Sequence, residues 1–249
     1  MNILITGASS GIGRALAKYF NATGNTLFIS ARREERLSEL ANELEKSGNM
    51  CFFQKCDVAN KADTASMVAK AIEEMGSIDL AILSAGVGRT ANFTELDCEP
   101  FRYTFDINLF GVLHSMEYII PAMLKQGHGK IAAVSSMADV RGIPYSSAYS
   151  SSKAALTRVL EAARIELKPL NIDVVTIRPG FVKSEMTDQN KFKMPLLMPV
   201  ERAARIIAHG LAKHKAYINF PYRTNFVAAF MRVIPNPWYE FIMGRVRAN

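Results

Sequence analysis

The sequence predicts an α/β fold: a doubly wound parallel sheet of about seven strands, helices on both faces, and a helical C-terminal tail. Two observations predict it. Short apolar runs of about five residues recur along the 249-residue chain, and segments of helical spacing lie between them. The runs are apolar throughout rather than alternating, as strands buried on both faces are.

In order, residues 2–6 (NILIT) make the first strand and residues 12–20 the first helix, with Ile12, Leu16 and Phe20 on one face. TLFIS (26–30) is the second strand, and 34–46 the second helix, with Leu37, Leu40, Ala41 and Leu44 aligned. Strands at 50–54 and 78–83 flank a helix at 62–75. A long helix over 100–124, a strand at 130–134, a helix over 148–167 and a strand at 173–177 follow. A helix at 201–212 and a strand at 216–220 complete the alternation. There is no repeat, low-complexity linker or composition break before about residue 221, so residues 1–221 read as one domain and 222–249 as an extension.

Composition sets wide bounds. The chain is 49% hydrophobic and 21% charged, with a net charge of +7. That charge suits nucleic acid, an anionic membrane or a phosphorylated ligand, but no nucleic-acid motif accompanies it. Cys51, Cys56 and Cys98 have no CxxC spacing, and the four histidines form no ligand pattern, so no metal site or disulfide is expected, and a reducing, cytoplasmic compartment is. No signal-peptide pattern and no run of about 18 uninterrupted apolar residues is read.

The first strand meets its helix through TGASSGIG. A helix N-terminus offers free N–H groups and a positive dipole end, which favour a phosphate. Gly7 can turn the chain, Gly11 can let backbone approach a pyrophosphate, and Gly13 can let helix pack on strand; Ser9 and Ser10 add hydroxyls. The spacing is GxxxGxG, not GxGxxG, and such turns also occur without a ligand. One unit later the second strand runs into Ala31-Arg32-Arg33, with no acid before Glu34. An acid there would suit NAD, whereas arginine suits a 2′-phosphate; beside the glycine turn, Arg32 favours NADP(H) over NAD(H), the alternative being a solvated arginine pair. Asp57, before Val58, can accept from an adenine amino group or simply cap a turn.

Tyr149 and Lys153 stand four apart in YSSSK and so share a helix face. An ammonium near a phenol favours the phenolate and lowers its pKa, which would fit tyrosine for proton transfer near neutrality. Ser136 closes the strand KIAAVSS at the carboxyl edge, where open α/β sheets bind ligands; Ser135 competes, and strand alternation sends the two to opposite faces.

TGASSGIG, Asp57-Val58, Ser84-Ala85-Gly86, Asn108-Leu109-Phe110-Gly111, VSS, YSSSK and RPGFV occur in this order. Together they resemble the short-chain dehydrogenase/reductase family over residues 1 to about 220. The resemblance implies a Rossmann-like sheet and a catalytic set of Asn108, Ser136, Tyr149 and Lys153. In that set Tyr149 donates the proton when a carbonyl is reduced, and Ser136 orients the carbonyl. Lys153 holds the nicotinamide ribose and lowers the Tyr149 pKa, and Asn108 positions a relay water. Gly7, Ser9, Ser10, Gly11, Ile12, Gly13, Arg32, Asp57, Val58, Ala85 and Gly86 would bind the cofactor, together with Asn108, Tyr149, Lys153, Pro179, Gly180, Val182 and Ser184. Ser184 stands where the family usually has threonine. Leu83-Ser84-Ala85-Gly86 replaces its usual Asn-Asn-Ala-Gly, which weakens the hydrogen bonding expected near the cofactor.

Substrate selection is expected in the loop at about 183–199, where Met186, Phe192, Met194, Pro195, Leu196, Leu197 and Met198 could cover an apolar carbonyl substrate or simply form an ordinary lid. The expected activity is NADPH-dependent reduction of a ketone or aldehyde, or the reverse. The alternatives are a non-catalytic NADP(H)-binding sensor or scaffold, and a reductase of lipid-type ketones at a membrane surface. The resemblance implies a dimer or tetramer through the helices at 100–124 and 148–167. Tail residues 222–249 contain many large apolar side chains, four arginines and one acid, split into two short helices by Pro235 and Pro237. The tail is expected to pack on its own domain or in an oligomer interface, with an anionic membrane as the alternative.

Overall fold

The computed structural model describes residues 1–46, 48–188, 194 and 196–245. Among them, seven strands form one sheet in the order β3-β2-β1-β4-β5-β6-β7, all parallel. The strands are β1 (Asn2–Thr6), β2 (Thr26–Ala31), β3 (Cys51–Lys55), β4 (Leu80–Leu83), β5 (Gly129–Val134), β6 (Ile172–Pro179) and β7 (Tyr217–Phe220). The strand order reverses between β1 and β4, and at such a switch the connecting helices leave on opposite faces and open a crevice at the carboxyl edge.

The pleat splits the core in two. Ile3, Ile5, Leu27, Ile29 and Ile82 face a layer made by α1 (Gly11–Ala22), α2 (Glu34–Glu45) and α8 (Val200–Ala212). Leu4, Phe28, Ala81, Leu83 and Ile131 face the opposite layer of α3 (Lys61–Met75), α5 (Gly111–Gln126) and α6 (Ser147–Leu167). Each strand therefore carries apolar residues on both faces, which is why the runs read as continuous.

Strand ends shift by one or two residues from the sequence expectation, and the long helix differs in kind. The long helix is not continuous: α4 (Glu99–Phe105) passes through a π turn at Asp106–Phe110 before α5 begins. The turn is sealed by Gly111, where an added Cβ would lie 2.6 Å from Val58 Cγ2. The third strand starts one residue late, at Cys51. The fourth starts at Leu80, because the Ile78 and Asp79 amides bond instead to the Gln126 side chain and the Asn2 carbonyl. The stretch Glu99–Gln126 is long and apolar enough to cross a bilayer, yet Val112, Met116, Ile119 and Met123 are buried against the sheet, as in a core helix.

The chain after β6 closes on itself. Val182 bridges Met198, with Lys183 N donating to Met198 O and Met198 N to Phe181 O, both at 2.9 Å. Between them a single helical turn, α7 (Glu185–Asp188), is described; Phe192 and Pro195 lie outside the described residues. After β7 the chain forms the two expected tail helices, α9 (Tyr222–Val233) and α10 (Asn236–Met243).

Candidate active site

The carboxyl edge of the sheet brings the candidates together at the ends of β1, β2, β4, β5 and β6. Gly7 takes φ 69°, and an added Cβ would stand 2.7 Å from Ala85 Cα. The turn therefore needs glycine both for its conformation and for the approach of the β4 loop. At Gly13 a Cβ would stand 2.5 Å from the Gly7 oxygen and 2.6 Å from Ser84 Oγ. The Ser84 hydroxyl donates to the Thr6 carbonyl at 2.5 Å, and the Ser84 amide to Thr6 Oγ1 at 3.2 Å. Serine thus does the bridging for which asparagine was expected, and its small size admits α1.

Several features fit this edge to a dinucleotide. Helix α1 opens with no acid in its first turn and with no side chain capping it. An open depression of about 440 Å³ lies there, lined by Ser9, Ser10, Gly11, Arg14, Arg36, Glu39 and Glu185. Arg33 reaches two of these hydroxyls, with Nη2 donating to Ser9 Oγ at 3.1 Å and to Ser10 Oγ at 2.8 Å. A helix N-terminus, two hydroxyls and a guanidinium suit phosphate oxygens. Arg33, not Arg32, is therefore the arginine at the glycine turn; Arg32 is turned away and held by Tyr103 Oη at 3.1 Å. The reason is that β2 continues through Ala31, so successive side chains beyond it diverge. Glu185 of α7 spans the gap and pairs with both Arg33 and Arg36. These arginines hold its carboxyl below the ordinary glutamate range.

Asp57 Oδ1 accepts from the Ala59 amide at 3.1 Å, which is the turn-capping alternative. Val58 is buried against Gly111, and its carbonyl faces His114 Nδ1 at 3.2 Å. Ile12 sits on the first turn of α1. Gly180 N donates to Phe220 O at 2.7 Å, and Ser184 N donates to Thr187 Oγ1 at 2.8 Å, so the loop from Pro179 through Val182 to Ser184 is tied at both ends.

Alternation separates the two serines as expected. Ser135 Oγ turns under α6, donating to Lys153 O at 3.0 Å and meeting Thr157 Oγ1 at 2.7 Å. Ser136 Oγ accepts from the Ala138 amide at 3.1 Å, and its hydroxyl lies near enough to Tyr149 to favour the phenolate. Lys153, 3% exposed, donates from Nζ to Val134 O at 2.7 Å, and its Nζ lies 5.9 Å from the Tyr149 ring centroid. Burial lowers the Lys153 ammonium to about 7. Asn108, fully buried in the π turn, donates to Val87 O at 2.9 Å and Ser152 Oγ at 3.0 Å, and its Oδ1 accepts from Val87 N at 2.8 Å. Ala85 and Gly86 lie between these groups: a Cβ at Gly86 would stand 3.2 Å from Asn108 Oδ1 and 3.4 Å from Lys153 Nζ.

One expectation is corrected. The Tyr149 phenol is raised, not lowered, from its ordinary value. Burial disfavours the phenolate and the charge of Asp139 adds to that, while the Ser136 hydroxyl opposes both. Sequence spacing supplied the lysine but not the desolvation.

A supporting network went unread in the sequence. Arg178, at the end of β6, forms a buried ion pair with Asp139 in the turn Met137–Val140 that follows Ser136. Thr157 Oγ1 donates to the other oxygen of Asp139 at 2.7 Å. The partners are 39 residues apart in the chain. Among the described residues there is no cluster of metal-ligating side chains.

Comparison with known proteins agrees with this geometry. A family profile described as "short chain dehydrogenase" matches residues 1–194. An "Uncharacterized oxidoreductase" of Myxococcus xanthus is 34% identical over 244 residues, covering 98% of this chain and 96% of that protein. The alcohol dehydrogenase of Thermococcus sibiricus, solved with 5-hydroxy-NADP, is 27% identical and superposes with a TM-score of 0.79 over 88% of this chain and 94% of its own. A short-chain dehydrogenase/reductase of Burkholderia phymatum, solved with NAD, shares the fold at a TM-score of 0.86, with 21% identity over 99% of this chain and 96% of its own. The chain thus belongs to the short-chain dehydrogenase family and is an oxidoreductase acting on CH–OH or carbonyl groups.

Proposed function

We propose that the protein is an NADPH-dependent reductase of an apolar ketone or aldehyde, with Tyr149 as the proton donor. The observation that carries this reading is the meeting of buried Ser136 and Lys153 at Tyr149, with Lys153 Nζ 5.9 Å from the Tyr149 ring centroid. When bound, the nicotinamide cofactor supplies the hydride that the protein itself cannot. The Ser136 hydroxyl orients the carbonyl oxygen against Tyr149. The raised phenol stays protonated at neutral pH and gives its proton to that oxygen as negative charge develops there. Lys153 and Ser136 then stabilise the phenolate left behind, and a proton from solvent restores it. Asn108 fixes the β4 loop against α6 through Val87 and Ser152, holding the floor under Lys153.

Arg33 and Arg36, with no acid at the end of β2, support a 2′-phosphate and so NADP(H) over NAD(H). Met186 supports an apolar substrate: a Cβ at Gly88 would stand 3.8 Å from Tyr149 Cδ2 and 3.9 Å from Met186 Sδ, so the thioether and the Tyr149 ring both border Gly88.

The test pairs fluorescence titrations of NADPH and NADH on the parent, Arg33→Ala and Arg32→Ala with turnover of apolar ketones and aldehydes. Tighter NADPH binding, weakened more by Arg33→Ala than by Arg32→Ala, is expected. Turnover should be abolished in Tyr149→Phe with cofactor affinity retained. Equal binding of both cofactors in all three proteins refutes the phosphate assignment, and turnover by Tyr149→Phe refutes the proton donor.

A further inference from the structure

We propose that helices α9 and α10 dock the protein on the surface of an anionic lipid bilayer. The proposal concerns where the molecule sits and is independent of the substrate assigned above.

Tyr222, Phe226, Phe230 and Val233 recur along α9 as one stripe, at positions i, i+4, i+8 and i+11. In a tail that folds onto its domain this stripe would face inward. Here it faces outward: the four side chains are exposed, and Ala228 is the residue of α9 that is buried. Helix α10 repeats the arrangement, with Trp238, Phe241 and Ile242 on one exposed face and no buried residue. The expectation that the tail's apolar residues pack on the domain is therefore not met by the described residues.

Polar contacts on the inner side hold this orientation. Arg141, five residues after Ser136, donates to Met231 O at 3.1 Å, Ile234 O at 2.6 Å and Asn236 Oδ1 at 2.9 Å. Its guanidinium lies 4.6 Å from the Tyr239 ring centroid, and Tyr239 Oη donates to Gly142 O at 2.5 Å. The turn between the helices is thus clamped by its backbone, and the apolar faces are left pointing away.

Charge selects the occupant. The exposed Arg223, Arg232 and Arg245 border the apolar face, and Glu240 is the acid of the tail. A basic depression lined by Arg202, Arg205, His209, Lys213 and Lys215 also includes Tyr217–Asn219 of β7, the strand that precedes α9. A second copy meeting this face across a twofold axis would double its excess of three arginines over one acid within the interface. A bilayer bearing anionic headgroups accepts both features at once: apolar side chains enter the acyl boundary, Trp238 and Tyr222 sit at headgroup level, and arginines reach phosphate. Pro221 and Thr224, at the start of α9, pack on Gly180 of the active-site loop, with a Cβ there 3.2 Å from Pro221 Cδ and 3.3 Å from Thr224 Cγ2. A docked tail therefore borders the cleft.

Trp238 is the one tryptophan of the chain, so its emission reports on α10 directly. The full chain is mixed with phosphatidylcholine vesicles containing about one third phosphatidylglycerol, and emission and co-sedimentation are measured without turnover. A blue shift with co-sedimentation is expected, at least about tenfold weaker on phosphatidylcholine alone or in high salt. Phe226→Asp/Phe230→Asp should cut binding by about tenfold or more while NADPH binding is unchanged. Arg223→Gln/Arg232→Gln, which keeps the apolar face, should lose the preference for anionic lipid. Absence of co-sedimentation overturns the proposal, as does equal binding to neutral vesicles. A blue shift that grows with protein concentration in lipid-free buffer, together with a dimer in sedimentation velocity, overturns it in favour of a second copy.

Discussion

Asp139→Asn should destabilise the protein and shift its pH profile together, because one carboxylate serves both. Asp139 and Arg178 have side chains 1% and 8% exposed, so removing the carboxylate charge leaves a guanidinium buried without its counter-ion. Among the described residues Nε of Arg178 has no hydrogen-bond partner, which leaves little to compensate. Breaking a buried pair from one side costs about 3–5 kcal/mol. For a domain of this size that corresponds to a fall in Tm of about 6–20 °C. The charge of Asp139 also contributes to the raised pKa of Tyr149, so the substitution lowers it. Reduction requires the protonated phenol, and activity falls as pH rises through the phenol's pKa. The basic limb of kcat/KM should therefore move to lower pH. Urea unfolding followed by circular dichroism gives the stability, and initial rates across pH give the limb. A loss below about 1 kcal/mol with an unmoved limb would refute the reasoning, since that is what an exposed pair would show. Asp139→Leu/Arg178→Met, which removes both charges, should recover most of the stability but not the parent limb.

Three further outcomes follow from the site. Lys153 has its pKa pushed down to about 7 from an ordinary 10.5, so between those values the unfolded chain holds a proton that the folded chain does not, and its contribution to stability rises with pH. Lys153→Met should therefore gain most over the parent in urea midpoint at about pH 6.5 and lose most of that advantage only by about pH 10.5. Glu185→Gln releases Arg33 and Arg36 from two exposed ion pairs worth about 1 kcal/mol together, so NADPH should bind up to about fivefold tighter, with NADH unchanged in parallel titrations. Gly13→Ala forces a methyl to within 2.5 Å of the Gly7 oxygen, and should lower stability by about 1–3 kcal/mol and weaken both cofactors in the same titrations.

Periodicity made the alternation of strands and helices legible, because strands buried on both faces leave unbroken apolar runs such as NILIT and TLFIS. Strand alternation shows that Ser135 and Ser136 diverge, while the choice of Ser136 comes from the family resemblance. The π turn could not be read: DINLF continues the helical pattern, and the turn is set by Val58 packing on Gly111 from another element. Which of Arg32 and Arg33 meets Ser9 and Ser10 is not legible in the sequence, because it depends on one residue in the length of β2. The Arg178–Asp139 pair and the Glu185 bridge join residues far apart in sequence, and no local pattern marks either. The tail's two helices were visible in their spacing and prolines, but amphipathic spacing alone does not say which way the apolar face turns.

The bridge between Val182 and Met198 has a consequence for how such an enzyme diversifies. It ties the two ends of the stretch between them by two backbone hydrogen bonds, and the described part of that stretch reaches the glycine turn's arginines through Glu185. Ring-closure entropy grows slowly with length, so doubling the stretch costs only about 0.6 kcal/mol. New substrate shapes can thus be acquired by exchanging residues 183–197 as a block, with the proton-transfer machinery inherited intact.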